Sequence, residues 1–190
     1  SYILLLGSAP VNASINSGQS PTFSVAANMQ AITKATDGEI YLAINDGGDS
    51  YAVSCSATCG TLTNWTEVGV SPFDARNDFN LLVPLAGGDV MVINRDVSAN
   101  DIRSKIWNGT AWSPTWTLID GNAGESAEYD GGFSATVNLA TGYVYLAYAT
   151  DNTTLTDDND DIRTAVYDGS AWTSMSDVFT NIVGRGLVDT

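Results

Sequence analysis

The chain has 190 residues, with 22 acidic against 7 basic side chains, no histidine, and a formal charge of −15. That length can bury a real core as one domain, whereas the charge excludes nucleic acid and anionic membrane surfaces as partners, since both need a basic footprint. The lack of histidine removes Ser-His-Asp and Cys-His nucleophiles, HExxH zinc sites and histidine bases together.

In chain order, the first element is Tyr2-Ile3-Leu4-Leu5-Leu6, a β-prone run far short of the ~20 residues of a transmembrane helix and without the basic flank of a signal peptide. The chain starts at Ser1, so it is expected to be a processed or partial product. From residue 23 a four-strand pattern begins. It opens with a small and apolar strand at Ala26–Ile32, followed by an Asp37-Gly38 turn and the apolar strand IYLAI at 40–44. The third strand starts at Asp49, and the closing strand carries Trp65. Between those two lies CSATCG, with the only cysteines, Cys55 and Cys59. Two thiolates without histidine cannot complete a tetrahedral zinc shell, so the pair reads as a local disulfide. Such a short loop contributes ~2 kcal/mol and implies an oxidising compartment.

The pattern then repeats. Phe79–Leu85, the Gly87-Gly88 turn, VMVI at 90–93, a strand from Asp101 and Trp112 form the second copy. Phe133–Leu139, Thr141-Gly142, YVYLAY at 143–148, a strand from Asp161 and Trp172 form the third. The anchor of the alignment is one phrase written twice, 60 positions apart: DIRSKIWNGTAW at 101–112 and DIRTAVYDGSAW at 161–172. Six of its twelve positions are identical. Asn108-Gly109 and Asp168-Gly169 predict two-residue type I′ hairpins. The loop between second and third strands grows from 45–48 to 94–100 to 149–160. Four strands per ~50 residues with a recurring tryptophan predict an all-β chain of β-propeller-type blades. It divides into a connector (1–22), repeats at 23–70, 71–120 and 121–182, and the start of a fourth at 183–190. Three repeats and two partial ends do not close a ring and would leave edge strands open. Either the chain continues or another chain completes the ring, with Tyr2–Leu6 and Gly184–Thr190 as candidates for self-association.

The YDGSAW and WNGTAW hairpins, the YLAY strand and the cysteine-loop variant resemble the BNR/sialidase-type β-propeller repeats of secreted bacterial proteins, over about residues 23–180. That family's Asp-box, Ser-x-Asp-x-Gly-x-x-Trp, occupies the same turn. Here Asp168 and Gly169 are adjacent, and only the Gly-to-Trp spacing agrees.

Propeller topology would gather the loops after second and fourth strands on one face, with most of the acidic side chains. The loop at 151–161, with Asp157, Asp158 and Asp160, reads either as a Ca²⁺ site or as a solvated acidic segment that favours solubility; beyond Ca²⁺, no cofactor is expected. Arg76, Arg95 and Arg185 fall on the same face from successive repeats, beside Asp78 and Asp130. The resemblance implies that three such arginines could grip a carboxylate, although here they are placed in loops. Arg103 and Arg163 recur at one repeat position, as do Trp65, Trp112 and Trp172, which marks the first pair as structural and the tryptophans as core. Trp116 is the candidate for stacking on a sugar ring. Four N-x-Ser/Thr sequons, at Asn12, Asn64, Asn108 and Asn152, agree with a secreted chain. The expected function is a secreted or cell-surface, non-catalytic protein that binds carbohydrate or a surface protein, or packs into an assembly. The alternative is a sialidase-like glycoside hydrolase completed by further blades.

Overall fold

A computed structural model of the chain describes residues 13–14, 22–23, 28–46, 48–61, 64–69, 73–75, 79–96, 98–121, 123, 133–151 and 159–183. Tyr2–Leu6 and Gly184–Thr190 lie outside the described residues. The fold is all-β. A short pair, β1 (Ala13–Ser14) and β2 (Thr22–Phe23), precedes three four-stranded antiparallel sheets. Sheet 1 runs β3 (Asn28–Lys34), β4 (Ile40–Asp46), β5 (Asp49–Cys55) and β6 (Thr66–Glu67). Sheet 2 runs β7 (Phe79–Pro84), β8 (Val90–Asp96), β9 (Asp101–Trp107) and β10 (Thr117–Asp120). Sheet 3 runs β11 (Phe133–Asn138), β12 (Tyr143–Asp151), β13 (Asn159–Tyr167) and β14 (Trp172–Val183). In each sheet every strand pairs with the next in sequence, so the three repeats read from the sequence are three meanders.

The sheets stack face to face with sheet 2 in the middle. Strand β7 lies against β3 and β4 on one side and against β11 on the other, so the opening strands are neighbours. Alternation assigns the faces, because successive side chains point to opposite sides. In β8, Val90 and Val92 join Ala35, Tyr41, Ala43, Ala52, Val68 and Phe73 of the sheet 1 side. Met91 and Ile93 join Val144, Leu146, Tyr148 and Ala165 of sheet 3. All of β8 is buried, which is why its first four residues read as an unbroken apolar run rather than an alternating one. Each fully buried aliphatic side chain there contributes about 1.5–3 kcal/mol.

The tryptophans at the recurring position join the sheets. Trp112 donates its indole N–H to the Val68 carbonyl at 3.1 Å, and Trp172 donates to Ser104 Oγ at 2.9 Å, each reaching the preceding sheet. Each packs on the aromatic that ends its own third strand, Trp107 at 5.6 Å and Tyr167 at 5.5 Å. In sheet 1 the equivalent Trp65 donates to the Cys59 carbonyl at 3.0 Å. Cys55 and Cys59 form the disulfide, with Cα atoms 5.8 Å apart. It replaces the tight hairpin found in the other two sheets and leaves β6 only two residues long.

Three local expectations are corrected. The Asn-Gly and Asp-Gly hairpins are not two-residue type I′ turns but four-residue loops, closed by the pairs Trp107↔Trp112 and Tyr167↔Trp172. A type I′ turn needs positive φ at both central residues, and here Gly109 (85°) and Gly169 (99°) have it while Asn108 and Asp168 do not. The side chains take over instead: Asn108 Oδ1 accepts the Thr110 and Ala111 N–H groups, and Asp168 Oδ1 accepts those of Ser170 and Ala171. Second, the connection at 149–160 is shorter than expected. The ladder continues through Thr150↔Asp161 and Asp151↔Asp160, because pairing uses backbone groups and tolerates polar residues at a strand end. Third, the tryptophans at 65 and 112 stand before β6 and β10 rather than within them, and only Trp172 opens its strand.

Candidate functional site

One end of the stack carries a continuous polar band, built where second strands end and third strands begin. Asn45 is the next-to-last residue of β4 and Ser50 the second of β5, and the Ser50 hydroxyl donates to Asn45 Oδ1 at 2.9 Å. Asn80 at the start of β7 donates its amide to both Asn45 Oδ1 and Ser50 Oγ, each at 3.2 Å, across the sheet boundary. Asn94 in β8 donates to Asn80 Oδ1 at 2.9 Å, and Arg103 Nε donates to Asn94 Oδ1 at 2.8 Å. Four buried amide and hydroxyl side chains and one guanidinium thus satisfy one another where an unpaired group would cost about 1–3 kcal/mol.

Arg103 also pairs with Asp74 Oδ2 at 2.6 Å, in the segment after sheet 1, and with the fully buried Asp96 Oδ2 at 3.0 Å on the neighbouring strand. Asp96 is held by its own loop as well: its Oδ1 accepts the N–H groups of Ser98 and Ala99 and the Ser98 hydroxyl. One repeat later the arrangement recurs. Arg163 pairs with Asp120 Oδ2 at 3.2 Å, which closes sheet 2 and also accepts the Tyr148 hydroxyl at 2.7 Å. The recurring arginine therefore joins its sheet to the preceding one. Its recurrence showed in the sequence, but its partners Asp74 and Asp120 did not, because they stand at unequal distances outside the repeated phrase.

Of the residues proposed for a ligand face, Arg95 and Trp116 are described. Arg95 is in β8, not in a loop, and is 2% exposed. Its guanidinium donates to the carbonyls of Ala123 at 2.9 Å and Ala149 at 3.3 Å, tying the connection after sheet 2 to β12. Trp116 is half-buried between sheet 1 and sheet 2. The Arg103 guanidinium lies 4.5 Å and the Lys105 ammonium 4.6 Å from its ring centre, and Phe73 meets it edge-on at 6.4 Å. Burial lowers the Lys105 pKa; the Asp74 carboxylate opposes the shift and the Arg103 charge adds to it. This is a cation–π seat within the protein, so the ring packs on the chain's own cations. Arg76, Arg185, Asp78 and Asp130 lie outside the described residues, as do Asp157 and Asp158. Asp160 lies in β13, opposite Asp151. Among the described residues no three His, Cys, Asp or Glu side chains gather closely enough to hold a metal ion. Among the described residues no helix is long and apolar enough to cross a membrane.

What the band can do chemically is hold shape. It has hydrogen-bonded amides, paired carboxylates and an arginine on carbonyls, and it adjoins Ser98, Ala99 and Ala123. Comparison with family models and with curated proteins finds no match to this chain.

Proposed function

We propose that the chain is a secreted or cell-surface, non-catalytic β-propeller-type protein whose loop-bearing end binds carbohydrate or a surface protein. The observation that carries this reading is the repeated architecture. Three four-stranded meanders stack with their opening strands side by side, and arginine–aspartate and tryptophan contacts join sheets 2 and 3 each to the one before. Such stacking about a common line of first strands is how propeller blades pack. The polar side chains described at the loop end are engaged with one another, which supports a rigid platform for loops rather than a set of groups poised for proton transfer. The disulfide is compatible with an extracellular setting.

The test is a glycan array together with a binding screen on cell surfaces, using the intact chain. Binding to a glycan or surface protein is expected. It should weaken at least tenfold in Ala99→Arg, which places a bulky cation on the exposed connection beside Asp96. Turnover of a fluorogenic sialoside or glycoside above the uncatalysed rate would overturn the non-catalytic reading in favour of the glycosidase alternative. Binding unaffected by Ala99→Arg would move the site away from this end.

A further inference from the structure

The connection between β9 and β10 holds the only Asn-Gly pair in the chain, Asn108-Gly109. An asparagine side chain carries an electrophilic carbon, Cγ, that the backbone nitrogen of the next residue can reach by closing a five-membered ring. Ammonia is the leaving group. The reaction needs an open nitrogen, an amide that nothing holds, and donors for the charge that develops on Oδ1 as Cγ becomes tetrahedral. This turn supplies all three. Asn108, Gly109, Thr110 and Ala111 are exposed. Gly109 has no side chain to shield its nitrogen, a β-carbon built on it would find nothing within 4 Å, and among the described residues nothing accepts its N–H. Asn108 Nδ2 likewise donates to none of the described residues. Asn108 Oδ1 accepts the Thr110 N–H at 3.0 Å and the Ala111 N–H at 2.9 Å. Two backbone donors at these distances polarise the carbonyl and hold the oxyanion that attack creates, as an oxyanion hole does in acyl transfer. Other asparagines lack one part or another. Asn64 Nδ2 is tied to the Ala57 and Thr58 carbonyls, and Trp65 follows it. Asn138 Oδ1 accepts the Ala140 N–H, but Leu139 follows it.

We propose that Asn108 is a modification site that deamidates itself in the folded chain, with Gly109 as the nucleophile and the Thr110 and Ala111 N–H groups as the oxyanion donors. Hydroxide takes the Gly109 proton and the nitrogen bonds to Cγ. The Cγ–Nδ2 bond then breaks, and ammonia leaves with a proton from water. The cyclic imide takes up one water: at Cγ it opens to aspartate, at the main-chain carbonyl to isoaspartate. The fold already shows that aspartate fits. Asp168 stands at the same place in sheet 3, where its Oδ1 accepts the Ser170 and Ala171 N–H groups at 2.8 and 2.9 Å. The pair Tyr167↔Trp172 closes that loop as Trp107↔Trp112 closes this one. Isoaspartate instead turns the capturing side chain into main chain, so the capture is lost. The loop it distorts ends at Trp112, whose indole N–H donates to the Val68 carbonyl across the boundary with sheet 1. The modification depends on this turn alone and is independent of what the loop end binds.

The experiment follows ammonia release and peptide-mapped deamidation of the intact chain at pH 8.5 and 37 °C, beside a synthetic peptide of residues 103–116. In the folded chain Asn108 is expected to convert at least tenfold faster than Asn64 or Asn138. It should also convert at least threefold faster than in the peptide, which has the same Asn-Gly pair without the held turn. Ala111→Pro removes one of the two donors and should slow the reaction at least threefold, with circular dichroism reporting on the fold. After separation by anion exchange, the aspartate product should melt with the Asn108→Asp variant and the isoaspartate product below it. Asn108 converting no faster in the folded chain than in the peptide overturns the proposal, since the turn then does not promote the reaction; that comparison stands whatever the proline does to the fold. An unchanged rate in a well-folded Ala111→Pro overturns it as well.

Discussion

At Gly69 the backbone φ is +77°, and a β-carbon there would stand 2.8 Å from Trp112 Cδ1 and 2.9 Å from Trp107 Cζ3. Both conditions select glycine, the first by conformation and the second by space. Gly69→Ala is expected to cost about 1–3 kcal/mol, read as a lower urea midpoint at an unchanged slope. Arg103 is the second residue with an outsized role, because the carboxylate of Asp96 beside it is fully buried. Arg103→Met should destabilise by about 3–5 kcal/mol, since removing one partner of a buried ion pair leaves a charge poorly compensated. Arg103→Lys should recover little of it, a single ammonium being unable to reach Asp74, Asp96 and Asn94 together. Tyr41 gives a pH signature. Burial, then the charge of Glu39 and the bond donated to it at 3.2 Å, push its pKa from 10.0 up to about 12. The folded state thus holds its proton longer than the unfolded chain, so this contribution is complete below pH 10 and is lost as the pH rises toward 12. Thermal melts at pH 9 and 11.5 should show a smaller alkaline loss in Tyr41→Phe than in the parent.

Among the elements, the third-to-fourth strand connections show one task met in two ways. In sheets 2 and 3 an Asn or Asp side chain captures two backbone N–H groups and lets a four-residue loop close. In sheet 1 a disulfide closes the loop and positions the carbonyl that receives Trp65. Asn108→Ala should therefore cost about 1 kcal/mol, seen as a drop in melting temperature, and Asn108→Asp should be tolerated. Asp168 carries a charge that its counterpart lacks. The N–H of Ala171, the Ser170 hydroxyl and the Ser170 N–H lower its pKa. Its contribution is present above the unfolded carboxylate pKa and is lost as the pH falls through the folded one. Asp168→Asn keeps both backbone bonds, so its stability should vary less with pH between 5 and 2 than the parent's, as followed by tryptophan fluorescence.

At the scale of the whole molecule, polar and apolar contacts between sheets are sorted by position. Aliphatic and aromatic side chains fill the two boundaries of sheet 2, and the hydrogen-bonded amides and ion pairs collect at the end where second strands turn into third strands. Net negative charge acts against this compact arrangement. The buried pairs are screened far less than the exposed carboxylates, so added salt should relieve repulsion more than it weakens the clasps. Raising NaCl from 0.01 to 0.5 M is expected to increase the melting temperature; a decrease would show that the ion pairs outweigh the repulsion.

The sequence by itself determined the repeat, the four strands in each copy, their approximate limits and the cysteine pair. These follow from local signals: a phrase written twice, alternation of period two, glycines at turns and thiols four residues apart. It also marked Arg103 and Arg163 as structural, because a position that returns with the repeat serves the repeat. Tertiary structure alone decided the rest. That Arg95 is buried on carbonyls and that Asp74 and Asp120 receive the recurring arginines depend on contacts more than twenty residues apart, and that Trp116 lies beneath two cations depends on how the chain folds back on β9. Local periodicity carries no record of such distances.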